Sequence, residues 1–295
     1  MFNSDADFPK PEFDTSHIKI FEGYYEDLFD NSFINRAIRL GAKMYLAKLG
    51  LKGSKVDFIQ NEINEYLLDI LGFYLNIPLR NKIVNRACIQ IMEAWDTAQE
   101  SVAGGTIDEP FLITVVGHSL GSVVALLAVK KLIKEYGLDN LCLVTTGSPL
   151  GSKWLYRPGR LCLGGNLNIS DLGRTTVVYN YHNPRDPISG TISDKYMENK
   201  KPLDDVHDIM IDPIAGMNRL AQHTSLDHYF REGLHVDAPH FSPIVSERGI
   251  IILFHGIGDN EPGKSWSAAY DPYKNILGRE GTIHRLMSDE INGTL

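Results

Sequence analysis

The sequence predicts an α/β protein with a mostly parallel sheet and helices on both faces. Three observations carry this. Short β-branched, apolar runs occur at 111–116 (FLITVV), 141–146 (LCLVTT), 175–181 (TTVVYNY) and 249–254 (GIIILF). Strands buried on both faces read as continuous apolar runs of this kind. Between the first two runs, Ser119 to about Tyr136 is apolar on almost every side up to Lys130, as a helix pressed onto a sheet must be. Strands that alternate with helices are joined by crossovers, which make neighbouring strands parallel.

The remaining elements follow in order. Residues 1–16 are polar and acidic, with interspersed Pro and Phe, and read as a flexible arm. His17 to Tyr25 (HIKIFEGYY) alternates as a strand does. Apolar residues recur at helical spacing from Asn31 to Leu49 and from Val56 to Leu71. Pro78 interrupts that pattern, and Leu79 to about Glu100 forms another amphipathic helix. Residues 101–110 (SVAGGTIDEP) are turn material, and the Gly- and Asn-rich stretch 161–173 reads as a loop. Val206–Ile211 is a short strand candidate. The expected organisation is one domain over 17–295, with no internal repeat.

Composition narrows the function. An apolar fraction of 43% and a charged fraction of 22% suit a globular chain, and 295 residues suffice for one α/β core. A net charge of −8 argues against a nucleic-acid partner, which needs clustered Lys and Arg, and against attraction to anionic membranes. No apolar run reaches the 18 or so residues that a membrane-spanning helix needs. The N-terminus lacks the basic start and apolar core of a signal peptide. Cys88, Cys142 and Cys162 are odd in number and widely spaced, which suggests free thiols in a reducing compartment. A cytoplasmic location is the expectation.

The chemistry centres on Gly117-His118-Ser119-Leu120-Gly121, a G-x-S-x-G pattern. A β-branched strand ends at Gly117 and a buried helix starts after Ser119, which is the strand–turn–helix setting the motif requires. The flanking glycines remove side chains that would collide in so sharp a bend. The serine hydroxyl is thereby lifted to a helix N-terminus, where partial positive charge favours a developing oxyanion. His118 adjoins the nucleophile, but neighbouring side chains diverge at such a turn, so a packing role beside the pocket is expected of it.

With this bend the triad runs in the order serine, acid, histidine, each on a loop after a strand. The loop after 175–181 is His182-Asn183-Pro184-Arg185-Asp186-Pro187, which makes Asp186 the expected acid. An Asx-type turn before Pro187 is the competing role for that side chain. The base must follow among His207, His223, His228, His235 and His240. His228 is taken first, because Tyr229 and Phe230 behind it can seat a helix, and His223 is the rival.

Taken together, GHSLG around Ser119, the strand end Gly147-Ser148-Pro149-Leu150, the Asn183–Pro187 loop and His228-Tyr229-Phe230 resemble the lipase and esterase branch of the α/β-hydrolase superfamily. The resemblance covers about residues 17–235, and the elbow is its specific part. It implies Ser119, Asp186 and His228 as nucleophile, orienting acid and general base, with the backbone N–H of Leu120 in the oxyanion hole. One piece departs from the pattern. The second oxyanion donor of such enzymes follows an early strand ending in His-Gly, and nothing like it precedes Gly117. Ile250 to Asp259 (IIILFHGIGD) has that form, yet it lies after the expected base.

Reading 249–295 before 1–245 restores the usual order. A circular permutation is therefore expected, with strand 249–254 inserted beside the elbow strand and Ile257 N–H as the second donor. Strand exchange in a homodimer and a second, truncated hydrolase unit are the other arrangements. The expected activity is ester cleavage through an acyl-enzyme, on a small-molecule or lipid ester and with no metal or organic cofactor. Thioesterase, amidase and acyltransferase chemistry share the machinery. Most of the apolar stripe in 31–71 reads as ordinary core, with a cap over an acyl pocket as the alternative. A metal-dependent hydrolase using the acidic, His-bearing stretch 204–228, and an inactive hydrolase fold serving as an interaction module, are the competing classes.

Overall fold

In the computed structural model the described residues are 18–23, 70–104, 112–138, 141–152, 155–163, 169–172, 176–193, 206–224, 226–229, 249–254 and 283–286. They contain seven strands: β1 (Ile18–Gly23), β2 (Leu112–His118), β3 (Leu141–Thr146), β4 (Val177–His182), β5 (Val206–Met210), β6 (Gly249–Phe254) and β7 (Ile283–Leu286). The helices are α1 (Ile77–Ala103), α2 (Leu120–Tyr136), α3 (Tyr156–Leu163), α4 (Arg219–Thr224) and α5 (Leu226–Tyr229). The strands form one sheet in the order β5-β4-β3-β2-β6-β1-β7, and every neighbouring pair is parallel. The fold is the parallel α/β sheet that the apolar runs predicted, and it agrees with the α/β-hydrolase type that the resemblance implied.

Each of the continuous apolar runs is a strand. All six residues of β3 are buried, so both faces of the sheet are covered there. α2 is buried without a break from Leu120 to Val129, and Leu132 joins them, as the absence of a polar stripe before Lys130 requires. It ends at Gly137, whose left-handed conformation (φ 67°) lets its N–H reach the Ile133 carbonyl. α1 buries Ile83, Ala87, Ile91, Ala94 and Ala98, one stripe at helical spacing. It packs on α2 and on β6 and β1.

One expectation holds in detail and two points differ. The helix over 70–75 breaks at Asn76 and Pro78 lies in the first turn of α1, so the interruption falls beside Pro78, at a position where a missing N–H costs nothing. Asn76 caps that turn, its Oδ1 accepting from Leu79 N at 3.1 Å. The stretch 161–173 is not all loop: α3 extends to Leu163, and Ile169–Leu172 is a 3-10 turn that buries Ile169 and Leu172. β7 was not foreseen, because IHRL is too short and too polar to signal a strand. The arm 1–16 and the helices expected over 31–49 and most of 56–71 lie outside the described residues.

The position of β6 matters most for the site. It pairs with β2 on the side away from β3, with Phe254 opposite Gly117. The C-terminal segment thus contributes a strand directly beside the elbow strand, and the chain leaves β6 at the edge where Ser119 stands. The same edge receives the ends of β3, β4 and β5, since Thr146 pairs with Tyr181 and His182 with Met210. Clefts outside the carboxyl ends of parallel strands are where such sheets build their sites.

Candidate active site

Ser119 sits at the bend between β2 and α2 with φ 52° and ψ −127°, the one non-glycine residue with positive φ among the described residues. L-residues avoid this region, and one held there costs on the order of 1–3 kcal/mol, which the surroundings must offset. They do so with fixed contacts. Ser119 N–H donates to the Thr146 carbonyl at 3.0 Å, and Ser122 N–H donates to the Ser119 carbonyl at 3.1 Å. Ser122 Oγ donates to the same carbonyl at 2.6 Å and bonds Ser148 Oγ at 2.7 Å.

Gly117 is forced sterically. A Cβ there would lie 2.5 Å from both the Gly121 carbonyl oxygen and Ser122 Cα, backbone that cannot give way. The strand and helix therefore cross at van der Waals contact only because that side chain is missing.

The candidate acid lies on the loop after β4. Asp186 is buried and carries two roles at once. Its Oδ1 accepts Ile188 N–H at 2.8 Å and Ser189 N–H at 3.3 Å, the Asx-type turn. Its Oδ2 accepts from His223 Nδ1 at 2.8 Å and from the Tyr229 hydroxyl at 2.7 Å. The two roles weighed against each other in the sequence thus use different oxygens of one carboxylate. The loop is pinned to the turn after β3 by backbone contact between two glycines. A Cβ on Gly151 would lie 2.0 Å from the Gly190 oxygen.

The histidine beside Ser119 is not the one expected there. His223, at the end of α4, places Nε2 2.9 Å from Ser119 Oγ while its Nδ1–H faces Asp186. His223 is fully buried. His228, the residue expected there, lies on α5 and is turned away, donating from Nε2 to the Asp212 carbonyl at 2.5 Å. The aromatic pair that favoured His228 has a different physical meaning. Tyr229 is what belongs to the site, reaching Asp186 from α5, and His228 precedes it on another side of that short helix.

Local sequence also explains why His223 is held so firmly. Gln222 is buried next to it, accepts from Ile214 N–H at 3.0 Å and donates to the Ile214 carbonyl at 2.7 Å. Its Oε1 further accepts from Asn183 Nδ2 at 2.8 Å, which ties α4 to the acid's own loop. His118 lies beside the line, as packing required. Its Nε2 donates to the His223 carbonyl at 3.1 Å and its ring stands 5.1 Å from that of His223. Sequence reasoning missed Gln222, and it quoted Asn183 and Ser148 without giving either a role. A buried amide beside a histidine leaves no pattern in the chain; Asn183 before Pro184 was the one visible signal.

Burial, and secondarily the Asp186 carboxylate, hold the Tyr229 phenol well above its ordinary range, so it remains a protonated donor. In the acidic stretch, Asp208 spends its carboxylate on Asn180 Nδ2, on the Ile192 and Ser193 amides and on the Ser193 hydroxyl. His207 stacks on Tyr179 at 4.9 Å. Among the described residues no group of three or more His, Cys, Asp or Glu stands together as a metal site would need. No described helix is long and apolar enough to cross a membrane.

A strained serine at a strand–helix bend, bonded to an imidazole that is bonded in turn to a carboxylate, is the arrangement that serine hydrolases of α/β type use. Residues 42–159 match the lipase (class 3) family. Together with the parallel sheet, that partial match agrees with an α/β-hydrolase-type fold, and it supports ester-hydrolase activity in general terms. The matched segment is less than half of the chain; it includes the elbow and ends before Asp186 and His223. No curated protein matches the chain.

Proposed function

We propose that this protein is a serine hydrolase that cleaves carboxylic esters, with Ser119 as nucleophile, His223 as general base and Asp186 as the acid that orients it. The observation that carries the reading is the unbroken line Ser119 Oγ–His223–Asp186, with links of 2.9 and 2.8 Å. A nucleophile within hydrogen-bond reach of a base that is itself oriented by a third group is the geometry covalent catalysis needs. The Nδ1 bond to Asp186 leaves Nε2 as the acceptor, so the imidazole takes the Ser119 proton as the hydroxyl attacks the carbonyl carbon. Asp186 then stabilises the imidazolium. The imidazolium returns the proton to the departing alcohol, and water hydrolyses the acyl-enzyme by the same steps in reverse order.

The tetrahedral oxyanion needs preorganised donors. The first is the N–H of Leu120, the opening residue of α2, where helix amides lack intrahelical acceptors. For the second we keep the segment after β6, with Ile257 N–H as donor. Ile257 itself lies outside the described residues. The reading is supported by β6 running parallel to β2 and ending opposite Gly117, the place an oxyanion strand must take. A circularly permuted α/β-hydrolase order accounts for that strand's position in the chain.

Three experiments test this. Fluorophosphonate treatment with mass mapping of the adduct is expected to modify Ser119. A panel of esters and thioesters of graded acyl length then reads the substrate class. An unmodified Ser119 in folded protein, alongside hydrolysis that persists, overturns the assignment. Deleting 246–295 is expected to abolish turnover, and a soluble, fully active truncation contradicts the oxyanion role.

A further inference from the structure

We propose that Tyr229 is a positioning residue of this site: its hydroxyl, bonded to the same Asp186 oxygen as His223, fixes the carboxylate and shares its charge. This rests on the ester-hydrolase reading above and adds a member to the hydrogen-bonded line.

The ring of Tyr229 is explained by packing alone. It is fully buried and meets His118 edge-on at 5.9 Å, and a phenylalanine would fill the same space. The hydroxyl is what packing leaves unexplained. Burying a phenol costs free energy unless it finds a partner. The acceptor it finds is Asp186 Oδ2, at 2.7 Å, and the Ser189 side chain and Asn183 backbone also hydrogen-bond the phenol. That oxygen already accepts His223 Nδ1–H at 2.8 Å. With the Ile188 and Ser189 amides on Oδ1, Asp186 receives donors on both oxygens and cannot rotate without losing several charge-assisted bonds at once.

The shared oxygen has a chemical consequence. A donor on Oδ2 withdraws part of the negative charge that would otherwise stabilise the His223 imidazolium. Removing the hydroxyl leaves that charge to the imidazole, so His223 holds its proton more tightly. The neutral, reactive imidazole is then reached at higher pH. Among the described residues the titratable groups facing His223 are Ser119, Asp186, Tyr229 through that carboxylate, and His118. None of the others changes in a Tyr229→Phe variant.

The test is the rate of Ser119 modification by a fluorophosphonate as a function of pH, in the full chain and in Tyr229→Phe. The acid limb is expected to move up by about half a pH unit or more, with the plateau about three- to tenfold lower. A limb that stays in place overturns the proposal, whether or not the plateau falls, because loosened packing lowers a rate without moving an ionisation. Where the variant does not fold, proton NMR of the wild type decides. A slowly exchanging Tyr229 hydroxyl proton with a cross-peak to the His223 Nδ1 proton supports the proposal, and absence of that cross-peak overturns it. Failure of the wild type to label at all would remove the ester-hydrolase reading and this inference with it.

Discussion

The backbone of Ser119 is gripped by Ser122, three residues on, and by Thr146 at the end of the adjacent strand. His223 is gripped by residues far away in the chain: Asp186, 37 positions off, and His118, 105 positions off. The elbow is thus a local device, written into five consecutive residues and the strand and helix on either side. The acid–base corner is assembled from the ends of β4 and β5 and the short helices α4 and α5. Local devices leave a pattern in sequence, and assembled ones leave only an order of appearance. The same contrast predicts how each region fails when altered.

The largest effect belongs to the elbow's hydroxyl. Ser119→Ala is expected to lower ester turnover by roughly four to six orders of magnitude, with far-UV circular dichroism unchanged. Gly117→Ala attacks the bend rather than the chemistry. Its methyl would meet backbone at 2.5 Å, so the strand–helix crossing must open. A stability loss of about 2–4 kcal/mol is expected in urea unfolding, together with most of the activity. Tolerance of this change at wild-type stability would show that the bend is less tightly built than its geometry states.

The assembled corner should respond more gently and more specifically. Gln222→Ala removes the clamp on Ile214 and Asn183. It is expected to lower kcat about tenfold with little change in KM, because the imidazole loses its support while the acyl site is untouched. Equal changes in both constants would argue against a positioning role for Gln222. The smallest effect concerns the cysteines, none of which belongs to either region. Burial pushes the Cys88 thiol up to about 12 and Cys142 higher still, whereas Cys162 is half-buried and faces Arg80, which partly offsets its own upward shift. A maleimide at neutral pH is expected to label Cys162 first and leave the other two unmodified until the protein unfolds, with activity retained.

Much of the fold was legible because buried strands and a buried helix admit few polar residues. β3 and β6 were bounded to the residue, and α2 to within one. Ser119 was legible for the same reason, through Gly117 and Gly121. The order of elements pointed to Asp186, and the structure sets its carboxylate against His223. The base did not follow. His223 and His228 are five residues apart and both follow β5, so order cannot separate them. What separates them is the direction of two short helices and the buried amide of Gln222, properties of three-dimensional packing. Tyr229 misled for a related reason: it belongs to the site, but through Asp186 rather than through the histidine next to it.

The most direct measurement is therefore a comparison of His223→Ala with His228→Ala, read as the second-order rate of Ser119 modification by a fluorophosphonate. Removing His223 is expected to slow modification by about four orders of magnitude, and removing His228 by less than about threefold. The reverse ranking, or equal losses in two well-folded variants, would contradict the site described above.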